Sequence, residues 1–197
     1  HRVKNNMQVI LSMLNLQMRK IDNKKVQEML LESQNRILSM AMVHESIYNS
    51  KDFTHISVKK FVNGLYMQIL KTYGINRAIG INYKMVDVYV SLDTAVPLAI
   101  ILNELFANIF KNSRYEKGKS EIVVEIKKTR KNEAVLIIED KNCGLPDHLN
   151  ANMPDSLGHT LINILTLQIE GKLNQEKLEK GTKTIISFNT NINRSSL

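Results

Sequence analysis

The amino-acid sequence predicts an α+β protein: an N-terminal antiparallel helical hairpin followed by a two-layer α/β sandwich. Three observations predict it. Residues 1–50 contain neither Gly nor Pro, and their apolar residues recur every three or four positions. Between residues 79 and 188, short segments alternate apolar and polar with period two. Longer stretches of helical period lie among those segments and begin or end near Gly.

In the first helix Val3, Met7, Ile10, Leu14, Met18 and Ile21 share one face. The stretch DNKK (22–25) offers turn chemistry. Val26, Leu30, Ser33, Ile37, Met40, His44 and Ile47 then alternate four and three, which is a heptad seam. A connector this short sets the two helices antiparallel. Val9, Met13 and Leu16 form a second stripe that a lone hairpin leaves uncovered. Two hairpins packed as a four-helix bundle would cover it, so a homodimer through residues 1–50 is expected.

The second part starts with a helix from Ser57 to Thr72 that stops at Gly74. IGINYKM (79–85) and VYV (88–90) read as strands. Asp93 is the expected cap of the next helix, with Pro97 early enough to be tolerated. EIVVEIKKT (121–129) and EAVLIIED (133–140) predict an antiparallel pair across a polar turn. SLGHTLINILTLQIEG (156–171) predicts a helix, and KLNQEKL (172–178) with TKTIISF (182–188) a closing hairpin. Three helices against a mixed, mainly antiparallel sheet make the sandwich. The expected division is a hairpin over 1–52, a sandwich over 53–190 and a frayed tail over 191–197.

Composition narrows the function classes. The net charge is +8, but the basic residues are scattered, and only 6% of the chain is aromatic. A nucleic-acid face needs a basic stripe with interleaved aromatics, so no nucleic-acid partner is expected. One cysteine, Cys143, excludes an internal disulfide and a cysteine-rich metal site. No apolar run approaches the ~20 residues of a membrane span. With no signal-peptide pattern either, the expectation is a cytoplasmic segment without membrane contact.

The stretch ILNELFANIFKNS (101–113) carries the first chemical signal. Its apolar residues would bury one face, yet Glu104, Asn108 and Asn112 recur every four residues with Lys111 beside them. Taken alone this ridge has two readings, a solvated face or a set of ligands. Asn is a poor helix-interior residue because its amide competes for backbone hydrogen bonds. An acid, an amide oxygen and an ammonium suit a hard cation carrying phosphate oxygens, as Mg²⁺ does. Three further motifs favour ligands. Asp140 ends a predicted strand, where a carboxylate can accept from an exocyclic amine such as adenine's. Gly158 opens a helix whose free N–H groups favour phosphate. Thr182 follows Gly181 in a turn and can reach the same base.

The order NELFANIFKNS, EDKNCGLP, SLGHTL, KGT resembles the N, G1 and G2 boxes of the sensor histidine kinase ATP-binding domain, a Bergerat-type sandwich. HRVKNNMQVILSMLNLQ resembles the phosphoacceptor box of the kinase subgroup that reads H-R-x-K-N, and ESQNRILSMAMVHESIYNS (32–50) its second dimerisation helix. The resemblance runs from His1 to about Phe188. It implies that His1 accepts a phosphoryl group from ATP and passes it to an aspartate of a response regulator. It also implies that Lys4 and Asn5 orient the phosphate. Asn108 would hold Mg²⁺, Glu104 would hold metal-bound water or orient the site, and Lys111 and Asn112 would meet phosphate. Asp140 would read adenine, Gly144 would let the backbone approach the ligand, and Gly158 and Thr182 would serve its two ends. Two positions depart from the family pattern: Asn142 stands where a glycine is usual, and Lys141 replaces an acidic or amide neighbour. Arg2 follows the histidine, where many relatives carry an acid. The alternatives are a non-catalytic dimeric scaffold that binds nucleotide, and an ATP-hydrolysing relative with Glu104 as base.

Overall fold

A computed structural model describes residues 2–48, 55–74, 80–112, 121–130, 132–141 and 157–190. Helix α1 (Arg2–Met18) and helix α2 (Lys24–Tyr48) form the antiparallel hairpin. The turn is fixed by Asn23, whose side-chain oxygen accepts the N–H of Lys25 at 3.0 Å and of Val26 at 3.3 Å. Gln27 ties the turn back through the Ile21 carbonyl at 2.5 Å. No residue of α1 is buried, so its apolar stripes are only half covered by α2.

The sandwich follows. Strand β1 (Ile56–Ser57) pairs with β3 (Tyr89–Val90) in a separate two-stranded ribbon, a pairing the sequence did not suggest. Helix α3 (Val58–Thr72) ends at Tyr73 and Gly74 as expected. The main sheet has the order β2-β4-β5-β7-β6, from β2 (Gly80–Met85), β4 (Glu121–Arg130), β5 (Glu133–Lys141), β6 (Lys172–Leu178) and β7 (Gly181–Asn189). Only β2 and β4 run parallel, as a crossover through helix α4 (Leu92–Asn112) requires. Helix α5 (Leu157–Gln168) precedes the closing hairpin β6–β7.

One face of the sheet is apolar because β5 alternates along its length and the parts of β4 and β7 beside it supply apolar residues to the same face. Ile122, Val124 and Ile126, then Ala134, Leu136 and Ile138, then Ile186 and Phe188 all point to the helices. Opposite them α3 and α4 interlock through aromatic rings. Tyr66 meets Phe106 edge-on at 5.5 Å, and Phe106 stacks on Phe110 at 6.4 Å. Helix α4 is long and apolar enough to cross a membrane, but 72% of that window is buried within the fold.

Two expectations need correction. Asp93 lies inside the first turn of α4, where its charge suits the helix dipole, and is not the cap. The cap position is Ser91, whose carbonyl receives the N–H groups of Thr94 and Ala95. The buried residues of α2 are also not those of the heptad seam. Gln34, Asn35, Ser39 and Val43 are buried on a polar face that meets α3 and α4. Seam residues such as Leu30, Ile37 and Met40 are half-buried, and Val26 is exposed.

Candidate functional site

The ridge of α4 faces helix α2. Glu104, 5% exposed, is gripped by Arg36, whose Nε donates to Oε1 at 2.8 Å and whose Nη2 donates to Oε2 at 3.0 Å. Asn103 Nδ2 adds a third bond to Oε1 at 3.0 Å. Arg36 Nη2 also lies 3.5 Å from Glu32 Oε2, one helical turn back. The second oxygen of Glu32 pairs with Lys111 Nζ. Charge therefore alternates along a chain of four groups: Lys111, Glu32, Arg36, Glu104. Burial alone would lower the affinity of Arg36 and Lys111 for their protons. The adjacent carboxylates outweigh it, so both pKa values are raised, Arg36 chiefly by Glu104 and Lys111 chiefly by Glu32. Asn108, one turn from Glu104, is exposed.

Helix α5 begins against this ridge. A Cβ placed on Gly158 would lie 2.7 Å from Glu104 Oε2, so any larger residue there would displace that carboxylate from its present position. Two motifs more than fifty residues apart thus meet at one acid.

The sheet supplies the other end. Asp140 continues the core-facing series Ala134, Leu136, Ile138, and is 1% exposed. The β5–β7 register pairs Ile138 with Thr184 and Glu139 with Lys183, which sets Asp140 opposite Thr182. The Thr182 N–H donates to Asp140 Oδ1. Gly181, at φ 122°, passes so close that a Cβ there would strike the Asp140 backbone carbonyl and lie 2.5 Å from Oδ1. Burial pushes the Asp140 carboxyl up to about 6, against the Thr182 hydrogen bonds that favour its ionised form.

The hairpin residues stand apart. Lys4 Nζ pairs with Glu45 Oε1 at 2.5 Å, with both side chains substantially exposed, and Asn5 is exposed. Glu45 is nine residues beyond Arg36, about 13 Å along the axis of α2 at the helical rise. His44 is half-buried, and burial lowers its pKa. His1, Gly144 and Asn142 lie outside the described residues, as does the side chain of Asn112.

The structure thus brings Glu104, Lys111 and Gly158 to one place, and Asp140 and Thr182 to another under the same helical layer. Sequence reasoning missed Glu32, Arg36 and the bonding role of Asn103. The Glu-x-x-x-Arg spacing at 32–36 was visible, but an i,i+4 pair on a helix normally serves only that helix. Among the described residues no group of three His, Cys, Asp or Glu could cage a metal. A divalent ion here fits only as Mg²⁺ does, through an amide oxygen such as that of Asn108, water and substrate phosphates.

Residues 1–73 match the HisKA_2 family, described as histidine kinase. Over 190 residues the chain is 28% identical to the sensor histidine kinase PdtaS of Mycobacterium tuberculosis, covering 94% of this chain and 37% of that protein. The chain therefore spans little more than a third of the curated relatives it matches. The fold resembles the histidine kinase domain of a blue-light activated histidine kinase from Erythrobacter litoralis, with a TM-score of 0.68, 13% identity and 94% of both chains covered. It also resembles the Acinetobacter baumannii histidine kinase AdeS, with a TM-score of 0.55, 12% identity, and 95% and 96% covered.

Proposed function

Because the chain belongs to the HisKA_2 histidine kinase family and is homologous to the sensor histidine kinase PdtaS, we propose that it is the core of a sensor kinase. It binds Mg-ATP, autophosphorylates on His1 and passes the phosphoryl group to an aspartate in the receiver domain of a response regulator. The observation that carries this reading is the convergence of separated motifs: Gly158 on Glu104, and Gly181 and Thr182 on Asp140.

Asp140, ionised, accepts from the adenine amine while holding the Thr182 N–H. The start of α5 at Gly158 receives phosphate oxygens with its free N–H groups. Asn108 would hold Mg²⁺, which would supply charge neutralisation for the phosphates, and Asn112 would meet phosphate. Lys111 meets phosphate once released from Glu32. His1 then attacks the terminal phosphorus through an unprotonated imidazole nitrogen, with Lys4 and Asn5 steering the phosphate. The ridge is held at Arg36, about 13 Å along α2 from the Lys4–Glu45 pair that marks the start of α1. Transfer within one subunit would then have the sandwich release α2 and move toward the start of α1.

Incubation with Mg-ATP is expected to leave acid-labile, alkali-stable phosphate on the chain, and His1→Gln to abolish it. Nucleotide binding without label would indicate a scaffold. Free phosphate release at a rate unchanged in His1→Gln would indicate a hydrolase.

The proposed domains are the hairpin over 1–52, the ATP-binding sandwich over 53–190 and a tail over 191–197. The hairpin is the dimerisation unit, because Val9, Met13, Leu16 and Met29 remain 53%, 59%, 60% and 58% exposed on it. Burying such side chains against a second copy is worth roughly 1.5–3 kcal/mol each. Met13→Lys is expected to halve the mass seen by light scattering while changing the monomer's melting temperature little. A cytoplasmic setting follows from this chemistry, since ATP and the receiver partner are found there.

A further inference from the structure

We propose, on the kinase reading above, that Arg36 is a positioning residue that denies Glu104 to water, so that bound ATP is kept for the histidine. The two nucleophiles differ in one respect. Neutral imidazole attacks through a nitrogen that carries no proton, whereas water must give up a proton as it attacks. A free carboxylate beside the phosphates would assist water and leave imidazole unaffected.

Glu104 is the one carboxylate of the ridge, buried and set against Gly158 where α5 begins. Both of its oxygens are committed. Oε1 accepts from Arg36 Nε at 2.8 Å and from Asn103 Nδ2 at 3.0 Å, and Oε2 accepts from Arg36 Nη2 at 3.0 Å. A guanidinium does not surrender its proton, and its planar fork holds both oxygens at once. Arg36 is itself held by Glu32, which also holds Lys111. While the sandwich rests on α2, three of the four lone-pair positions of the Glu104 carboxylate accept hydrogen bonds, two of them from the guanidinium that lies across both oxygens.

In the reaction that Arg36 suppresses, a water oxygen bonds to the terminal phosphorus. The bond to the bridging oxygen breaks, and its electron pair leaves with ADP. The water proton passes to Glu104 and then to solvent. ATP and water yield ADP, phosphate and a proton, with no other reactant. Arg36 belongs to the same hairpin as His1, so the guard is lifted only when the ridge leaves α2 for the acceptor.

The test measures free phosphate and phosphohistidine together, with terminally labelled ATP and the full chain. Their ratio does not depend on the fraction of folded protein. Arg36→Gln is expected to raise free phosphate relative to phosphohistidine at least tenfold, within the range a general base contributes. Arg36→Lys, which keeps the charge but not the fork, should raise it less, and it carries the test if Arg36→Gln does not fold. Adding Glu104→Gln should remove the excess phosphate release of either variant. An unchanged ratio, or a rise that survives Glu104→Gln, overturns the proposal. Absence of label on wild-type His1 overturns the kinase reading instead. The comparison of Arg36→Gln with Arg36→Gln/Glu104→Gln, read as free phosphate alone, still decides the role of Arg36.

Discussion

Asp140→Asn is expected to stabilise the empty protein above pH 6 and to weaken Mg-ATP binding about 10- to 100-fold. Both effects come from burying an ionisable group at a position 1% exposed. Burial raises the Asp140 carboxyl from 3.8 to about 6. Between those two values the folded chain binds a proton that the unfolded chain has lost. Stability therefore falls as pH rises through that window and stays lower above it. Two units at about 1.4 kcal/mol each give a penalty on the order of 3 kcal/mol at neutral pH. Asparagine removes that penalty, so the melting temperature should rise by several degrees at pH 8 and not at pH 4. The same charge serves the ligand: a hydrogen bond to an ionised acceptor is worth about 1.5–3 kcal/mol, and a neutral amide forfeits most of it. In the wild type, affinity should fall as pH drops below about 6, by up to tenfold per unit. Calorimetric titration at pH 5 and pH 8 checks the binding, and thermal melts at pH 4 and pH 8 check the stability. Equal affinity of Asp140→Asn and the wild type at pH 8 would remove Asp140 from the nucleotide site.

Gly181→Ala is expected to cost about 3 kcal/mol or more and to abolish nucleotide binding with it. Gly181 has φ 122°, outside the range of L side chains, and the added methyl would run into the Asp140 carbonyl and its Oδ1. Neither obstacle can step aside. The carbonyl is backbone of the central strand β5, and Oδ1 is held by the Thr182 N–H. Relief requires β7 to peel from β5 at the end where adenine would lie. Conformational strain of about 1–2 kcal/mol adds to overpacking of about 1–3 kcal/mol. For a chain of this size that lowers the melting temperature by roughly 10 °C. A melt within 2 °C of the wild type would show that the turn has room to relax.

The secondary structure was largely legible because each element carries its own period. Helices α3 and α5 and strands β2, β4, β5, β6 and β7 fall within a few residues of their expected bounds. The exceptions have physical causes. Strand β1 holds two residues, Ile56 and Ser57, too few for any alternation to show, and exists only because β3 offers its edge. The cap of α4 was assigned to Asp93 on side-chain preference, whereas the chain enters the helix two residues earlier through the Ser91 carbonyl. On α2 the heptad seam was the strongest periodic signal, yet among the described residues three of the helix's four buried positions, Gln34, Asn35 and Ser39, are polar residues that no hydrophobic pattern marks, and the fourth, Val43, lies outside the seam.

The candidate site divides in the same way. The sequence by itself determined the helical hairpin, the sandwich, and the residue types lined up on the α4 ridge, because covalent order and a fixed helical pitch place Glu104, Asn108 and Lys111 on one side of one helix. Only the tertiary structure decided what that ridge meets. Glu104 in the grip of Arg36, Lys111 on Glu32, Gly158 beneath the carboxylate and Thr182 on Asp140 join residues 42 to 79 positions apart. Local periodicity says which face of an element is polar. It carries no information about which other polar face will be pressed against it, since that depends on how the layers pack and on which buried charges find a partner there.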